Sequence, residues 1–361
     1  MGNRVISVDI FRGLTIVLMI LVNTPGTWSN VYAPLLHADW HGYTPTDLVF
    51  PFFLFIVGTS IAFAYQHKTA SWPTYRKIVV RSLKLIGLGL FLGAFLIHFP
   101  FIKDFESIRF PGVLQRIGVV FFFAAILFMN FNWKVLIGIC VAVLVGYWLV
   151  MAYVPVEGVA STFNRAPNNL ANYIDVKVFG THNYKPDYDP EGLLSTLPSI
   201  ATSLLGVFTG LLLTSKRKKK ESVLLGLGVT MLVLGYLWDT LFPINKALWS
   251  SSFVLVTAGW ANILLALIYY FSDVRHIEFG SIFKYVGANA ITIYFLSSFI
   301  SKIMGQIAVG DTSLHGWLFQ NVYVHDFMAK ELSSLLYGLT VVTFYLGLGY
   351  MMHRKKIFIK V

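Results

Sequence analysis

Apolar runs of about twenty residues recur along the whole chain, and nothing else in the sequence restricts its folding as severely. Runs such as "WKVLIGICVAVLVGYWLVMAY" and "VLLGLGVTMLVLGYLW" offer no polar face to water, and about 20 residues of helix cover the roughly 30 Å of a bilayer's hydrocarbon. In lipid every backbone polar group must be paired within the protein, which leaves helices or a closed barrel. The runs do not alternate, so they read as helices. The expected fold class is all-α, a polytopic membrane helix bundle of about ten transmembrane helices at roughly 6–24, 47–66, 78–98, 112–130, 134–153, 193–214, 222–241, 249–271, 282–303 and 332–352. Composition agrees, since 12% of the 361 residues are charged against about 25% in soluble domains. No stretch reads as a detachable soluble domain, so residues 1–361 are taken as one transmembrane domain. The first run, Ile10 to Val22, could pass for a signal-peptide core, but Asp9 and Arg12 flank it and no small-residue cleavage site follows. It is read as a retained span. The single cysteine, Cys140, excludes an intramolecular disulfide.

The net charge of +11 would suit a nucleic-acid partner, but in a membrane chain the placement of basic residues matters more than their sum. Alternate connections carry Arg4, then Lys68, Arg76, Lys77 and Arg81, then Lys134, then Lys216, Arg217, Lys218, Lys219 and Lys220, then Arg275, and finally Arg354, Lys355, Lys356 and Lys360. The opposite connections hold only Lys103, Arg109, Arg165, Lys177, Lys185, Lys246 and Lys330. The positive-inside rule therefore predicts cytoplasmic termini. It also makes the Lys216 to Lys220 run a topology anchor and anionic-lipid contact, and no nucleic-acid partner is expected. The stretch from Thr24 to Thr46, without Lys or Arg, then faces outward. So does the longest connection, 153–192, whose Phe163, Tyr173, Ile174, Val178, Phe179, Tyr184 and Tyr188 predict an ordered cover over a site.

Ionisable side chains within spans are costly unless paired or hydrated, so they point to a functional cavity. Asp9 and Arg12, three apart near the inner end of the first span, can pair or serve a ligand. Asn23 ends that span, as a cap or as an amide aimed at the site. Gln115 and Arg116 sit just inside the outer end of the fourth span, where a guanidinium facing the bundle suits a phosphate, carboxylate or thioester oxygen. Arg81 and Lys84, at the inner end of the third, suit a phosphate-rich cytosolic ligand or positive-inside anchoring. Asn245, Lys246 and Trp249 lie in a polar outer hairpin, "FPINKALWSSSF". His37 and His41, four apart, would share a helix face as a metal site requires. With no HExxH pattern and only Asp39 nearby, a single imidazole acting as general base is the better fit, and no metal is expected.

At the level of whole blocks the chain resembles the heparan-alpha-glucosaminide N-acetyltransferases, lysosomal membrane enzymes with bacterial relatives. "SVDIFRGLTIVLMILVN", "HADWHGYTPTDLVFPFFLFIVGTSI", "IRFPGVLQRIGV", "YDPEGLLSTLPSI", "FPINKALWSSSF" and "RKKIFIKV" follow that family's order across essentially the full length. The resemblance implies transfer of acetyl from cytosolic acetyl-CoA to the amine of a glucosamine on the far side of the membrane, in a homodimer. It implies His37 as the active-site residue, with Asn23 near it. The lysosomal enzymes carry an extra lumenal region before the first block, and this chain starts a few residues ahead of it. The expected acceptor is therefore a free or cell-envelope amino sugar at the outer face of the inner (cytoplasmic) membrane.

A cytosolic donor and an exoplasmic base require an interior passage. Arg81, Lys84 and Arg12 would hold the phosphates, and the acyl-pantetheine arm would point outward to Arg116, with Gln115 beside it, and to Asn23 and His37. Asp39 or Asp47 would orient the imidazole, while Asn23 or Arg116 would donate to the thioester oxygen. Trp40, His41, Asp189, Glu191, Asn245, Lys246 and Trp249 are the candidates for holding the sugar. His37 acts in this scheme either as base or as transient acetyl acceptor. Two other classes fit the same helices and buried charges: a small-solute or amino-sugar transporter, against which the absence of an internal repeat counts, and an envelope polysaccharide O-acyltransferase.

Overall fold

The computed structural model of the protein describes residues 5–278 and 280–359; Arg4 and Lys360 of the basic set lie outside them. The chain runs through α1 (Ile6–Asn23), α2 (Pro45–Tyr65), α3 (Trp72–Ala94), α4 (Val113–Asn130), α5 (Trp133–Tyr153), α6 (Leu170–Phe179) and α7 (Thr196–Thr214). It continues through α8 (Lys220–Asp239), α9 (Ser251–Tyr269), α10 (Ser281–Gly287), α11 (Ala290–Gln306), α12 (Leu314–Val322) and α13 (Lys330–Arg354). Each expected span coincides with helix. Eight helices among the described residues are long and apolar enough to cross a membrane; α3 falls short because Arg76, Lys77, Arg81 and Lys84 crowd its first half.

The span expected at 282–303 is not one helix. Its two parts, α10 and α11, meet at a bend of 80°. Asn289 sits at the break, where its side chain donates to Ile357 O at 3.0 Å and accepts from Ile359 N at 2.9 Å. Backbone outside a helix is tolerated at membrane depth where protein buries it or where it lines a cavity, and Gly287, Ala288 and Asn289 line one. Two helices went unforeseen: α6 inside the long 153–192 connection, and α12 just before α13.

The centre of the bundle is apolar and closely packed, with Ile16 of α1, Leu54 and Phe55 of α2, Val120 of α4, Leu204 of α7 and Phe253 of α9 inaccessible. Lipid chains are as apolar as leucine, so helices in a bilayer associate through small residues that let backbones approach. At the α2–α7 crossing a Cβ added to Gly58 would lie 1.8 Å from Ser203 O, and one added to Gly206 would lie 1.9 Å from Phe55 O. Any side chain there would push the two helices apart. The perimeter is the reverse. Only 17% of the α8 window is buried, leaving Leu225, Val229, Val233 and Leu237 exposed, a face suited to hydrocarbon rather than water.

Candidate active site

The polar start of α2 builds the first part of the site. Thr44 is its N-cap and Asp47 its third residue, and the Asp47 carboxylate accepts from Thr44 N at 3.0 Å in a capping box. The same carboxylate gathers the preceding loop, accepting from Ala38 N at 3.0 Å while its other oxygen lies 2.6 Å from His37 Nδ1. An Nδ1–H donated to Asp47 fixes the tautomer that leaves the lone pair on Nε2. Asp47 is 1% exposed, whereas the His37 side chain is 47% exposed, so a buried anion holds an accessible base.

A distant segment completes the group. Gly42 N donates to Ile244 O at 2.7 Å, laying the α1–α2 loop against the α8–α9 hairpin. That contact brings Lys246 Nζ to 3.0 Å from His37 Nδ1, 3.3 Å from Nε2 and 3.3 Å from Asp47 Oδ1. Burial lowers the Lys246 ammonium below the usual lysine range, and the Asp47 and Glu191 carboxylates oppose that shift.

These residues open on a cavity of about 260 Å³ whose lining includes Asn23, His37, Asp39, Trp40, Lys246 and Glu191. Its far wall comes from the long 153–192 connection, through Tyr184, Tyr188 and Pro190. Arg109 anchors that wall: Nε donates to Asp189 Oδ2 at 2.8 Å, Nη2 bonds Glu191, and the guanidinium lies over Tyr184. Burial would push Glu191 up, but Arg109, Arg116 and Lys246 together hold its carboxyl below the usual range.

A second cavity, about 310 Å³, opens toward the other end of the bundle between Arg12, Ser60, Arg81, Phe121 and the α10–α11 break. Arg12 donates to Asp9 Oδ1 at 2.9 Å and to Ser60 Oγ at 2.8 Å. Arg81 lies over Phe121, and its buried Nε has no hydrogen-bond partner among the described residues. The N-terminus of α11 opens here too, at Ala290 and Ile291, and its partial positive charge favours an anion. The expected continuous passage is thus two cavities with no lining residue in common. Along α2 they are separated only by the step from Phe50 to Phe53, about 4.5 Å of helix.

Comparison with known proteins decides what this arrangement belongs to. The family model for heparan-alpha-glucosaminide N-acetyltransferase, catalytic, matches residues 4–235. The heparan-alpha-glucosaminide N-acetyltransferases of human and mouse are each 29% identical to it, over 99% and 100% of this chain and 60% and 61% of their own length. The chain belongs to this acetyltransferase family. It spans about three fifths of the curated relatives it matches.

Within the family frame the residues singled out from sequence fall into three groups. His37, Asp47, Asn23, Asp39, Trp40, Glu191 and Lys246 share the outer cavity, although Asn23 already donates one amide N–H to Met19 O at 2.8 Å. Arg12 and Arg81 share the inner one. The rest lie elsewhere. Arg116 lines neither cavity: 2% exposed, it donates to Gly192 O at 2.9 Å and to Ser195 Oγ, and it lies over Trp249. Gln115 folds back against Gly89 and Gly112, and Lys84 is exposed on α3. His41, a candidate for holding the sugar, does not line the outer cavity but sits in a non-helical loop bonded to Asn164 at 3.0 Å. Asn245 caps its own hairpin by accepting from Leu248 N at 2.8 Å. Asp189 is buried against Arg109, and Trp249 is a core ring that donates to Thr202 Oγ1 at 3.0 Å. Sequence reasoning missed Arg109, whose partners in "DPEG" lie 80 and 82 residues away. It found Tyr184 and Tyr188 only collectively, through the aromatic content of their loop.

Proposed function

We propose that this chain transfers an acetyl group from acetyl-CoA, held at the basic end of the bundle, to the amine of a glucosamine-type sugar at the His37 end. The carrying observation is the His37–Asp47–Lys246 group at the mouth of a cavity that ends one helical turn from a second, arginine-lined one. By the positive-inside rule the His37 end is exoplasmic, both termini are cytoplasmic and the chain is a multi-pass inner-membrane protein. Arg12, Arg81 and the α11 N-terminus suit the phosphates of the donor, since each offers positive charge and Arg81 keeps an unpartnered N–H. The step across Phe50 and Phe53 is where the thin acyl arm would pass.

The chemistry needs a base and orientation. His37 Nε2 takes a proton from the sugar ammonium and releases it to water; the freed amine attacks the thioester carbonyl and the C–N bond forms, His37 takes the second proton from the now cationic nitrogen, and as the C–S bond breaks that proton passes to the departing sulfur, leaving the amide and the free thiol. Asp47 stabilises the imidazolium as it forms, and Asn23 or Lys246 donates to the developing oxyanion. Glu191 and Asp39 offer carboxylates to the incoming ammonium, beneath the cover that the 153–192 loop provides.

The test uses purified protein in detergent, where transport has no meaning. Wild type should release CoA in the presence of acetyl-CoA and glucosamine, and His37→Ala should lower that rate by about 10²- to 10⁴-fold with an unchanged melting temperature. Retention of most turnover in His37→Ala removes the assignment. Rapid quenching without acceptor should show no acetylated protein if transfer is direct, and acetyl-histidine if His37 is acylated first.

A further inference from the structure

Outside the catalytic cavity lies an apolar groove of about 450 Å³, between the outer halves of α3 and α4 and the turn that leads into α7. Ile86, Leu90, Phe110, Val119, Phe179 and Leu193 line it. Its partition from the catalytic cavity is one segment thick. Arg109 and Val113 line the cavity, Phe110, Pro111 and Gly112 line the groove, and Glu191 lines both.

The polar end of this groove holds a buried cation whose N–H groups are not all hydrogen-bonded. Arg116 lines it and is 2% exposed; its Nη2 is taken by the neutral Gly192 O and Ser195 Oγ, while Nε and Nη1 are buried with no hydrogen-bond partner among the described residues. A buried unpaired guanidinium N–H is expensive to leave so. The nearest carboxylates do not satisfy it. Asp189 and Glu191 are bonded to Arg109, and Asp175 accepts from Leu193 N at 2.8 Å. The α4 N-terminus beside it, at Gly112, has no side-chain cap, which adds partial positive charge at the same spot.

We infer that this groove holds a lipid whose head carries a phosphate, the chain lying along Leu90 and Val119 and the phosphate meeting Arg116. We infer further that this lipid is the anchor of the acceptor, a glucosamine linked through phosphate to a long apolar chain. This deepens the reading under Proposed function and rests on it. The amino sugar then reaches His37 laterally from the outer leaflet, past Glu191, whose carboxylate attracts the ammonium. An apolar chain in the groove and a phosphate at its polar end use both features of the site; a free sugar uses neither.

The experiment compares free glucosamine with a synthetic glucosamine joined through a phosphodiester to a long-chain alcohol, in nanodiscs made of zwitterionic lipid. Wild type should show at least a tenfold lower KM for the lipid-linked acceptor. Leu90→Trp, which fills the groove from α3, should raise that KM tenfold or more and change turnover of free glucosamine less than twofold, and Arg116→Gln should raise the ratio of the lipid-linked KM to the free-sugar KM by a similar factor. Equal KM values for the two acceptors in wild type overturn the inference, and so does an equal loss on both in Leu90→Trp. Stimulation of both reactions alike by added anionic phospholipid assigns the groove to a bulk lipid and also overturns it. If wild type acetylates neither acceptor, the acetyltransferase reading itself fails, a result distinct from all of these.

Discussion

The two interior cavities are built on opposite plans. In the outer one almost every charge is matched: His37 with Asp47, Asp47 with Lys246, Arg109 with Asp189 and Glu191. In the inner one Arg81 faces the space with a buried, unpartnered N–H, beside the positive end of α11. A site whose charges are neutralised among themselves is organised for proton movement, because a fixed ion pair orients a base without drawing a highly charged ligand. A site with surplus positive charge is organised for holding an anion. On the proposed reading, the separation places rate at one end of the bundle and donor affinity at the other.

Asp47→Asn tests the first half most severely. The amide keeps an oxygen for Ala38 N but can present its NH2 to His37 Nδ1, which reverses the tautomer and moves the lone pair away from the substrate. The expected result is a kcat lowered by about 10²-fold or more with KM for acetyl-CoA within twofold. A KM that rises as steeply as kcat falls would mean that the two cavities are not functionally separate. Arg81→Ala is the mirror image. Losing one charge-assisted bond to a phosphate, about 1.5–3 kcal/mol, should raise KM for acetyl-CoA by roughly ten- to hundredfold and leave kcat and KM for the sugar near wild type. Phe53→Trp probes the step between them, and overfilling it should lower kcat/KM about tenfold while affinity for CoA's nucleotide portion, measured as 3′-phospho-ADP binding, stays constant. Reduced binding of that nucleotide would show that the inner cavity itself had collapsed.

What was legible in the sequence follows the range of the forces involved. Long apolar runs located the long helices, because a bilayer imposes its requirement on each segment separately, although α3 is less apolar than the others and the 282–303 run is two helices. The partner of His37 was narrowed only to Asp39 or Asp47; it is Asp47, which the capping box at "TPTD" sets at the third position of α2 beside the loop. Lys246 was seen as a polar hairpin residue, but its place against His37 depends on a backbone contact between loops some 200 residues apart. Arg116 and Gln115 illustrate the limit from the other side. A charge inside a span shows that a polar environment exists there, but spacing on one helix does not say which of two neighbouring cavities the residue faces. The break between α10 and α11 was hidden for a similar reason, since Asn289 is held by the C-terminal tail.

Asp175 provides the smallest and most local check on the charge plan of the outer end. It lies on α6 beneath the loop wall, 2% exposed, accepts from Leu193 N at 2.8 Å and packs so closely on Gly192 that an added Cβ would meet its carboxylate at 1.8 Å. Burial, reinforced by the nearby Asp189, pushes its carboxyl from 3.8 up to about 7. Because the folded state binds this proton more tightly than the unfolded chain does, the proton stabilises the fold at low pH. That contribution is lost as pH rises from about 4 to about 7 and is absent above it. Asp175→Asn keeps an oxygen for Leu193 N and removes the titration, so its melting temperature in detergent should come nearest to wild type at or below about pH 4, draw ahead between about pH 4 and 7, and exceed it by a few degrees at pH 8. An equal difference across that range would mean that Asp175 stays ionised in the fold. Its charge would then add to that of Glu191 around Arg116, and the proposed phosphate site in the neighbouring groove would have less positive charge to offer.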